Sequence, residues 1–347
     1  MLINIMIRTA VQDVVKGLIR PFVKLEFLQL VARSSLQYCP HSLSTMPAVG
    51  NILSGREISK SIQNELQEEV KTLKEKHPGF EPVLAIVQVG AREDSNVYIR
   101  MKKKVANDIG VSTKHIQLPR TVTETELLSE VNKLNDDPLV HGIIVQLPLD
   151  CDTPINAAQI TNAISPSKDV DGLHDVNAGK LSHGQLEGFF IACTPMGCLE
   201  LIKRSGVSIK GKRAVVIGRS KIVGMPMAQL LIWHHATVTV CHSRTENLKD
   251  VVKEADIIVA AVGQAQLVKK DWVKPGAVVI DCGISSIPDE TKKSGSRLVG
   301  DVDFDEVKEV ASYITPVPGG VGPMTVIMLV KNTVQSAKQA LFGQEKA

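Results

Sequence analysis

Short apolar strands alternate with amphipathic helical stretches through most of the chain, which predicts an α/β fold in two domains. The stretches VLAIVQV (Val83–Val89) and GIIVQL (Gly142–Leu147) are almost continuously apolar, the pattern of strands buried on both faces and so of a mainly parallel sheet. In the second half, a strand at Arg213–Ile217 runs into a turn bounded by Gly218 and Gly224 and then into a helix start. That succession predicts a Rossmann-like unit.

The elements follow in order. From Ser54 to Lys76, apolar residues at Ile58, Ile62, Leu66, Val70 and Leu73 recur at helical spacing, and His77-Pro78-Gly79 stops the helix. After the strand Val83–Val89 and a polar turn, a helix is expected from Ser95 to Ile109, ending at Gly110. Another spans Glu124–Leu134, before the strand Gly142–Leu147. The second half repeats the logic with strands at Arg213–Ile217, Thr237–Cys241, Ile257–Val262 and Val278–Asp281. The loop TPVPGGVGPMT (Thr315–Thr325) breaks regular structure, and a helix resumes over Val326–Leu341. A lone terminal helix has to bury its apolar face, so it is expected to cross back onto the first domain. The boundaries are then 50–195 plus 323–345 for one domain and 196–322 for the other, behind a leader at 1–45.

Composition narrows the function. With 44% hydrophobic and 22% charged residues the chain can form a sizeable core, and a net charge of +3 gives no whole-protein field for strong nucleic-acid binding. Six scattered cysteines without a CxxC pair argue against a disulfide scaffold and for a reducing compartment. No apolar run approaches the roughly 20 residues that cross a bilayer, so no membrane partner is expected. Nine histidines show no HExxH or comparable spacing, and no metal is expected. No G-x-S-x-G elbow follows a strand, so a serine nucleophile is unsupported. The leader carries Arg8, Lys16, Arg20, Lys24 and Arg33 against Asp13 and Glu26. It reads either as a transit peptide or as an extension ahead of a second start at Met46, which leaves a cytoplasmic location with a mitochondrial alternative.

The turn Gly218-Arg219-Ser220-Lys221-Ile222-Val223-Gly224 places backbone amides and a helix dipole where a pyrophosphate would sit. It departs from GxGxxG, with Ser220 for the middle glycine and a longer final spacing. The next strand ends in Cys241-His242-Ser243-Arg244, with no acid for a ribose hydroxyl, which favours NADP over NAD. Ser243 can donate to a 2'-phosphate, and Arg219 and Arg244 offer charge and fork geometry for it. A solvated surface charge is the alternative reading of each arginine.

Tyr98 and Lys102 stand four apart on the expected helix and so share a face, although that spacing is common by chance and Lys102-Lys103-Lys104 also reads as a solvated run. Gln146 near a strand's carboxyl end and Asp171 in the loop after it are placed to line the crevice where parallel sheets bind ligands. The turn Pro318–Pro323 lets backbone approach a flat ligand closely, or simply links two domains.

Taken together, SNVYIRMKKK (Ser95–Lys104), VQLPL (Val145–Leu149), KDVDG (Lys168–Gly172), GRSKIVGMP (Gly218–Pro226) and TPVPGGVGPMT resemble the methylenetetrahydrofolate dehydrogenase/cyclohydrolase family in order and spacing, over about Asn51 to Leu341. The resemblance implies two three-layer α/β domains with a cleft between them, the second a Rossmann-like NADP-binding domain. It implies two reactions in that cleft, oxidation of 5,10-methylenetetrahydrofolate by hydride transfer to NADP and hydrolysis of the methenyl cation to 10-formyltetrahydrofolate. Lys102 would carry the hydrolysis with Gln146, since burial and a neighbouring substrate cation both favour a neutral amine that can act as base. Tyr98 would stack on the aminobenzoate ring and Asp171 would hold the pterin. Val145, Leu147, Pro318, Gly319 and Gly322 would shape the folate pocket, while Gly218, Arg219, Ser220, Ser243, Arg244 and Ile284 would hold the cofactor. A homodimer is implied too, and because the chain ends at Ala347 the downstream synthetase domain of larger relatives is expected to be absent.

Two rivals remain to be separated. A short-chain dehydrogenase also uses YxxxK, but there the pair follows the glycine loop, whereas Tyr98 and Lys102 precede it. A binding module without chemistry differs only in turnover.

Overall fold

In the computed structural model, residues 50–292 and 295–344 are described, and they belong to one unit, Pro47–Ala347. The leader expected at 1–45 lies outside the described residues. Two parallel sheets organise the fold. The smaller is β3-β2-β4, formed by β2 (Val83–Val89), β3 (Ser112–Leu118) and β4 (Gly142–Val145). The larger is β1-β11-β8-β7-β5-β6, formed by β1 (Asn51–Ile52), β5 (Arg213–Ile217), β6 (Thr237–Cys241), β7 (Ile257–Ala260), β8 (Val278–Asp281) and β11 (Tyr313–Ile314). A hairpin of β9 (Ser285–Pro288) and β10 (Ser296–Val299) stands apart.

The alternation of side chains along each strand explains the layers. On β2, Leu84 and Ile86 join a core with α1 (Gly55–Lys76), α2 (Glu93–Ile109) and the terminal α10 (Val321–Gln344), while Ala85, Val87 and Val89 pack with α3 (Glu124–Asp136) and α4 (Ala157–Ala163). On β5, Ala214 and Val216 face α6 (Cys193–Arg204) and α7 (Gly224–Trp233). Val215 and Ile217 face the side that carries α8 (Leu248–Lys253) and α9 (Phe304–Val307). Each fully buried leucine or isoleucine in these layers contributes roughly 1.5–3 kcal/mol. Both lobes are therefore three-layered α/β, with mainly parallel sheets as the alternation implies.

Local signals set the helix ends. The Ser54 hydroxyl accepts from Glu57 N at the start of α1, and Thr123 with Glu126 forms a reciprocal capping box on α3. A short helix, α5 (Asp175–Ser182), is opened by the ring of His174, which accepts from Val176 N.

Several boundaries differ from the sequence expectation. The strand β3 was missed because STKHIQL has few apolar residues, and it forms an edge of the smaller sheet. The strand expected to reach Leu147 stops at Val145, where Gln146 N still bonds Val87 O and Pro148 then ends the amide supply. Similarly, β7 ends at Ala260 rather than Val262, whose amide is taken by the Asp301 carboxylate. The terminal helix begins at Val321, not Val326, because Pro323 falls in its first turn, where no amide bond is lost. Residues 51–52, expected with the first domain, pair into the larger sheet, and the boundary expected at 195/196 falls inside α6. The terminal helix packs on α1, α2 and α6.

Candidate active site

Lys102 lies on the inward side of α2, where its Nζ donates to Gln146 Oε1 at 2.9 Å. The Gln146 amide nitrogen donates to Leu147 O at 2.8 Å, which turns its oxygen toward the lysine. Around this pair is a cavity of about 170 Å³ lined by Val145, Leu147, Asp171, Cys193, Thr194 and Thr325, with Ile222 and Val223 from the glycine-bounded turn. The carboxyl end of β4, the helix α2 and the second lobe's loop thus meet at one point. Of the residues expected to form the folate site, Lys102, Val145, Gln146, Leu147 and Asp171 are gathered here.

The others line a larger neighbour. A cavity of about 430 Å³ is walled by Tyr98, Val97 and Met101 on α2 and by Pro318, Gly319 and Gly322. Tyr98 is 36% exposed, and burial of its ring, with Asp94 nearby, pushes its hydroxyl above the usual tyrosine range. Ile284, expected with the cofactor, lines this cavity with Tyr98.

The two acids of KDVDG separate in role. Asp169 is fully buried and accepts from Leu173 N, His174 N and Asn177 Nδ2, and burial raises its carboxyl to about 6. Lys168 Nζ donates to the carbonyls of Leu134, Asn135 and Asp137. Both brace the loop that presents Asp171 to the cavity.

At the far side of the cleft, the parallel register pairs Ile217 with Cys241, so the turns after β5 and β6 leave the sheet side by side. Gly218 adopts φ +116°, and a Cβ there would overlap Ala261 O. The Ser220 hydroxyl accepts from Val223 N (3.2 Å) and Gly224 N (3.3 Å), holding the turn at the start of α7. After β6, His242 Nδ1 accepts from Arg244 N and Thr245 Oγ1 accepts from His242 N. That pinned turn leaves Ser243 and Arg244 exposed. Among the described residues neither Arg219 nor Arg244 pairs with a carboxylate. The group such a surface fits is anionic.

Sequence reasoning missed Cys193, Thr194 and Thr325. The two threonine hydroxyls lie 3.0 Å apart and join α6 to α10 at the cavity. The Cys193 thiol donates to Val170 O, and burial pushes it well above the usual thiol range. Thr325 stood inside the motif TPVPGGVGPMT, but its side chain carried no spacing signal. Cys193 and Thr194 open a helix not foreseen at that position.

Residues 53–171 match the tetrahydrofolate dehydrogenase/cyclohydrolase, catalytic domain, and residues 192–341 match the tetrahydrofolate dehydrogenase/cyclohydrolase, NAD(P)-binding domain. The chain belongs to the tetrahydrofolate dehydrogenase/cyclohydrolase family. It is 62% identical over 290 residues to the cytoplasmic C-1-tetrahydrofolate synthase of Drosophila melanogaster, covering 84% of this chain and 30% of that one. It is 53% identical over 296 residues to the mitochondrial C-1-tetrahydrofolate synthase of Saccharomyces cerevisiae, covering 85% and 30%. The chain therefore spans about 30% of the length of these curated relatives. Among solved structures, the Trypanosoma brucei methylenetetrahydrofolate dehydrogenase-cyclohydrolase complexed with NADP and inhibitor is 44% identical at a TM-score of 0.81, covering 85% of this chain and 99% of that one. Within the family's two domains, Lys102, Gln146 and Asp171 fall in the catalytic match, and Gly218 to Arg244 fall in the NAD(P)-binding match.

Proposed function

We propose that the chain oxidises 5,10-methylenetetrahydrofolate with NADP and hydrolyses the resulting methenyl cation to 10-formyltetrahydrofolate in one cleft. The observation that carries this reading is the Lys102–Gln146 hydrogen bond inside a cavity that also receives Ile222 and Val223 from the glycine-bounded turn. A hydrolytic pair and a dinucleotide loop share one wall, so both steps have their groups within one site.

The cofactor supplies a hydride acceptor when bound. The Gly218 turn and the amides at the start of α7 suit its pyrophosphate, and Arg219, Ser243 and Arg244 suit a 2'-phosphate, with no acidic side chain at the end of β6 to repel it. Oxidation of the methylene bridge leaves a cation shared by two nitrogens, so this step mainly needs alignment of the reactants.

Hydrolysis needs an activated water. Lys102, held by Gln146, takes a proton from the water that attacks the methenyl carbon. The new carbon–oxygen bond becomes the formyl group on N10, the bond to N5 breaks, N5 takes a proton and one proton is released. Asp171 accepts from pterin N–H groups in the same cavity, and Tyr98 stacks on the aminobenzoate ring in the larger one.

The test is purified protein with 5,10-methylenetetrahydrofolate and NADP, following NADPH and the methenyl compound separately. NADPH without accumulating methenyl compound supports both steps. No NADPH with either NADP or NAD would leave a binding module without turnover. A homodimer could form on the outer edge of β6, which ends the larger sheet, and sedimentation gives the mass. Among the described residues no helix is long and apolar enough to cross a membrane. A cytoplasmic site is proposed, and sequencing the mature N-terminus distinguishes it from a mitochondrial one.

A further inference from the structure

Two buried carboxylates in the second lobe take no part in the chemistry above. Asp301 is fully buried, and its Oδ2 accepts from Val262 N (2.7 Å) and Gly263 N (3.0 Å), immediately after β7. Asp281 ends β8 at 3% exposure. Its Oδ1 accepts from Gly283 N and Asp301 N and its Oδ2 from Val302 N, each at 2.9 Å. Asp301 Oδ1 is buried with no hydrogen-bond partner.

Burying two like charges side by side is unfavourable, and an orphaned carboxylate oxygen adds to that penalty. The backbone is nonetheless shaped around them. A Cβ at Gly300 would overlap the Asp281 carboxylate, and one at Gly283 would overlap that of Asp301. Stability alone does not call for this arrangement, because neutral side chains at the end of β8 and in the loop after β10 would be buried with less desolvation.

What the carboxylates hold is specific. The strand order β6-β5-β7-β8 puts Ser243 and Arg244 on one side of the Gly218 turn and the ends of β7 and β8 on the other. A dinucleotide whose adenosine phosphate sits at β6 and whose pyrophosphate crosses the Gly218 turn lays its nicotinamide half over the ends of β7 and β8. The loop tied by Asp301 abuts that turn, since Gly218 packs against Ala261 O. The loop tied by Asp281 continues into Cys282, Gly283 and Ile284, which wall the cavity shared with Tyr98.

We infer that Asp281 and Asp301 are positioning residues that hold the loops after β7 and β8 in register for the nicotinamide half of the cofactor. This rests on the function proposed above. Asp281 also borders the cavity shared with Tyr98, but the carboxylate oxygens of both residues accept from backbone amides, and it is through those amides that they act.

The experiment compares Asp301→Asn and Gly300→Ala with the parent protein. Both keep the folate side chains, and Gly300→Ala keeps both carboxylates while displacing Asp281. Dehydrogenase kcat and KM for NADP, cyclohydrolase turnover of methenyltetrahydrofolate supplied directly, and NADP affinity by calorimetry are measured beside thermal unfolding. The expected result is a loss of about tenfold or more in dehydrogenase kcat/KM, mainly through KM for NADP, against a much smaller fall in cyclohydrolase turnover. Equal losses in both activities, in step with unfolding, would overturn the inference, as would no change in either. If Asp301→Asn does not fold, Gly300→Ala decides by the same readouts. A parent protein without either activity would refute the proposed function instead, while NADP affinity still tests the brace.

Discussion

Lys102 Nζ and Gln146 Oε1 lie 2.9 Å apart, and Gln146 is itself held by the carbonyl of Leu147. A flexible lysine is thereby fixed by a side chain that the backbone orients. Lys102→Ala should lower cyclohydrolase turnover by roughly a hundredfold or more, in the range for a lost general base, while the dehydrogenase stays measurable. Stopped-time absorbance of NADPH and of the methenyl compound reads the two separately. Equal loss of both would remove the division of labour assigned to this residue.

Ser243 and Arg244 stand exposed on the pinned turn after β6. Ser243→Asp should reduce kcat/KM for NADP by about tenfold more than for NAD, because a carboxylate there repels the 2'-phosphate. An unchanged ratio of the two specificities would move the phosphate site elsewhere.

Burial raises Asp169 to about 6, above its unfolded value of 3.8. For a carboxyl shifted this way, the folded protein binds the proton more tightly than the unfolded chain, so its stabilising effect is full below about 4 and is lost as pH rises through about 6. Asp169→Asn has no such proton. The stability of the parent relative to this variant should therefore fall by roughly 2–3 kcal/mol between those limits and stay flat above them. Urea unfolding of both proteins at several pH values measures the difference, and a difference independent of pH would show that Asp169 is ionised throughout.

Thiol reactivity should be selective. Burial lifts Cys193 and Cys241, the neighbouring Cys198 thiol and burial lift Cys282, and Cys198 is itself buried. Because the thiolate is the nucleophile, iodoacetamide on native protein at mildly alkaline pH should label Cys151, which is half-buried, well before these four. Peptide mass spectrometry reports the order, and early labelling of Cys193 would mean that the small cavity opens to solvent.

Much of the fold was legible because burial on both faces writes itself into composition. The strands Val83–Val89, Arg213–Ile217 and Val278–Asp281 stand where their apolar runs placed them, and the edge strand Thr237–Cys241 was legible from its alternating β-branched residues. The strand Ser112–Leu118 was not legible, because an edge strand needs little apolar sequence when only one neighbour pairs with it. In the site, Lys102 and Gln146 were nameable from motif and position, and the structure brings them together. Thr194 and Thr325 were not, since a hydroxyl contact between helices far apart in sequence leaves no periodic trace. The Asp281 and Asp301 brace was equally silent, as its partners are backbone amides that any sequence supplies.

The strand Asn51–Ile52 pairs with Tyr313–Ile314 in the larger sheet, yet the helix that follows it builds the smaller lobe, and the terminal helix Val321–Gln344 returns there after the larger sheet is complete. Neither lobe is a contiguous cassette. Grafting residues 196–322 from a relative would have to match the recipient at two seams, at a borrowed edge strand and along the packing of the returning helix. If the Ser243 turn reads the 2'-phosphate as proposed, changing its side chains disturbs neither seam, whereas exchanging the lobe disturbs both.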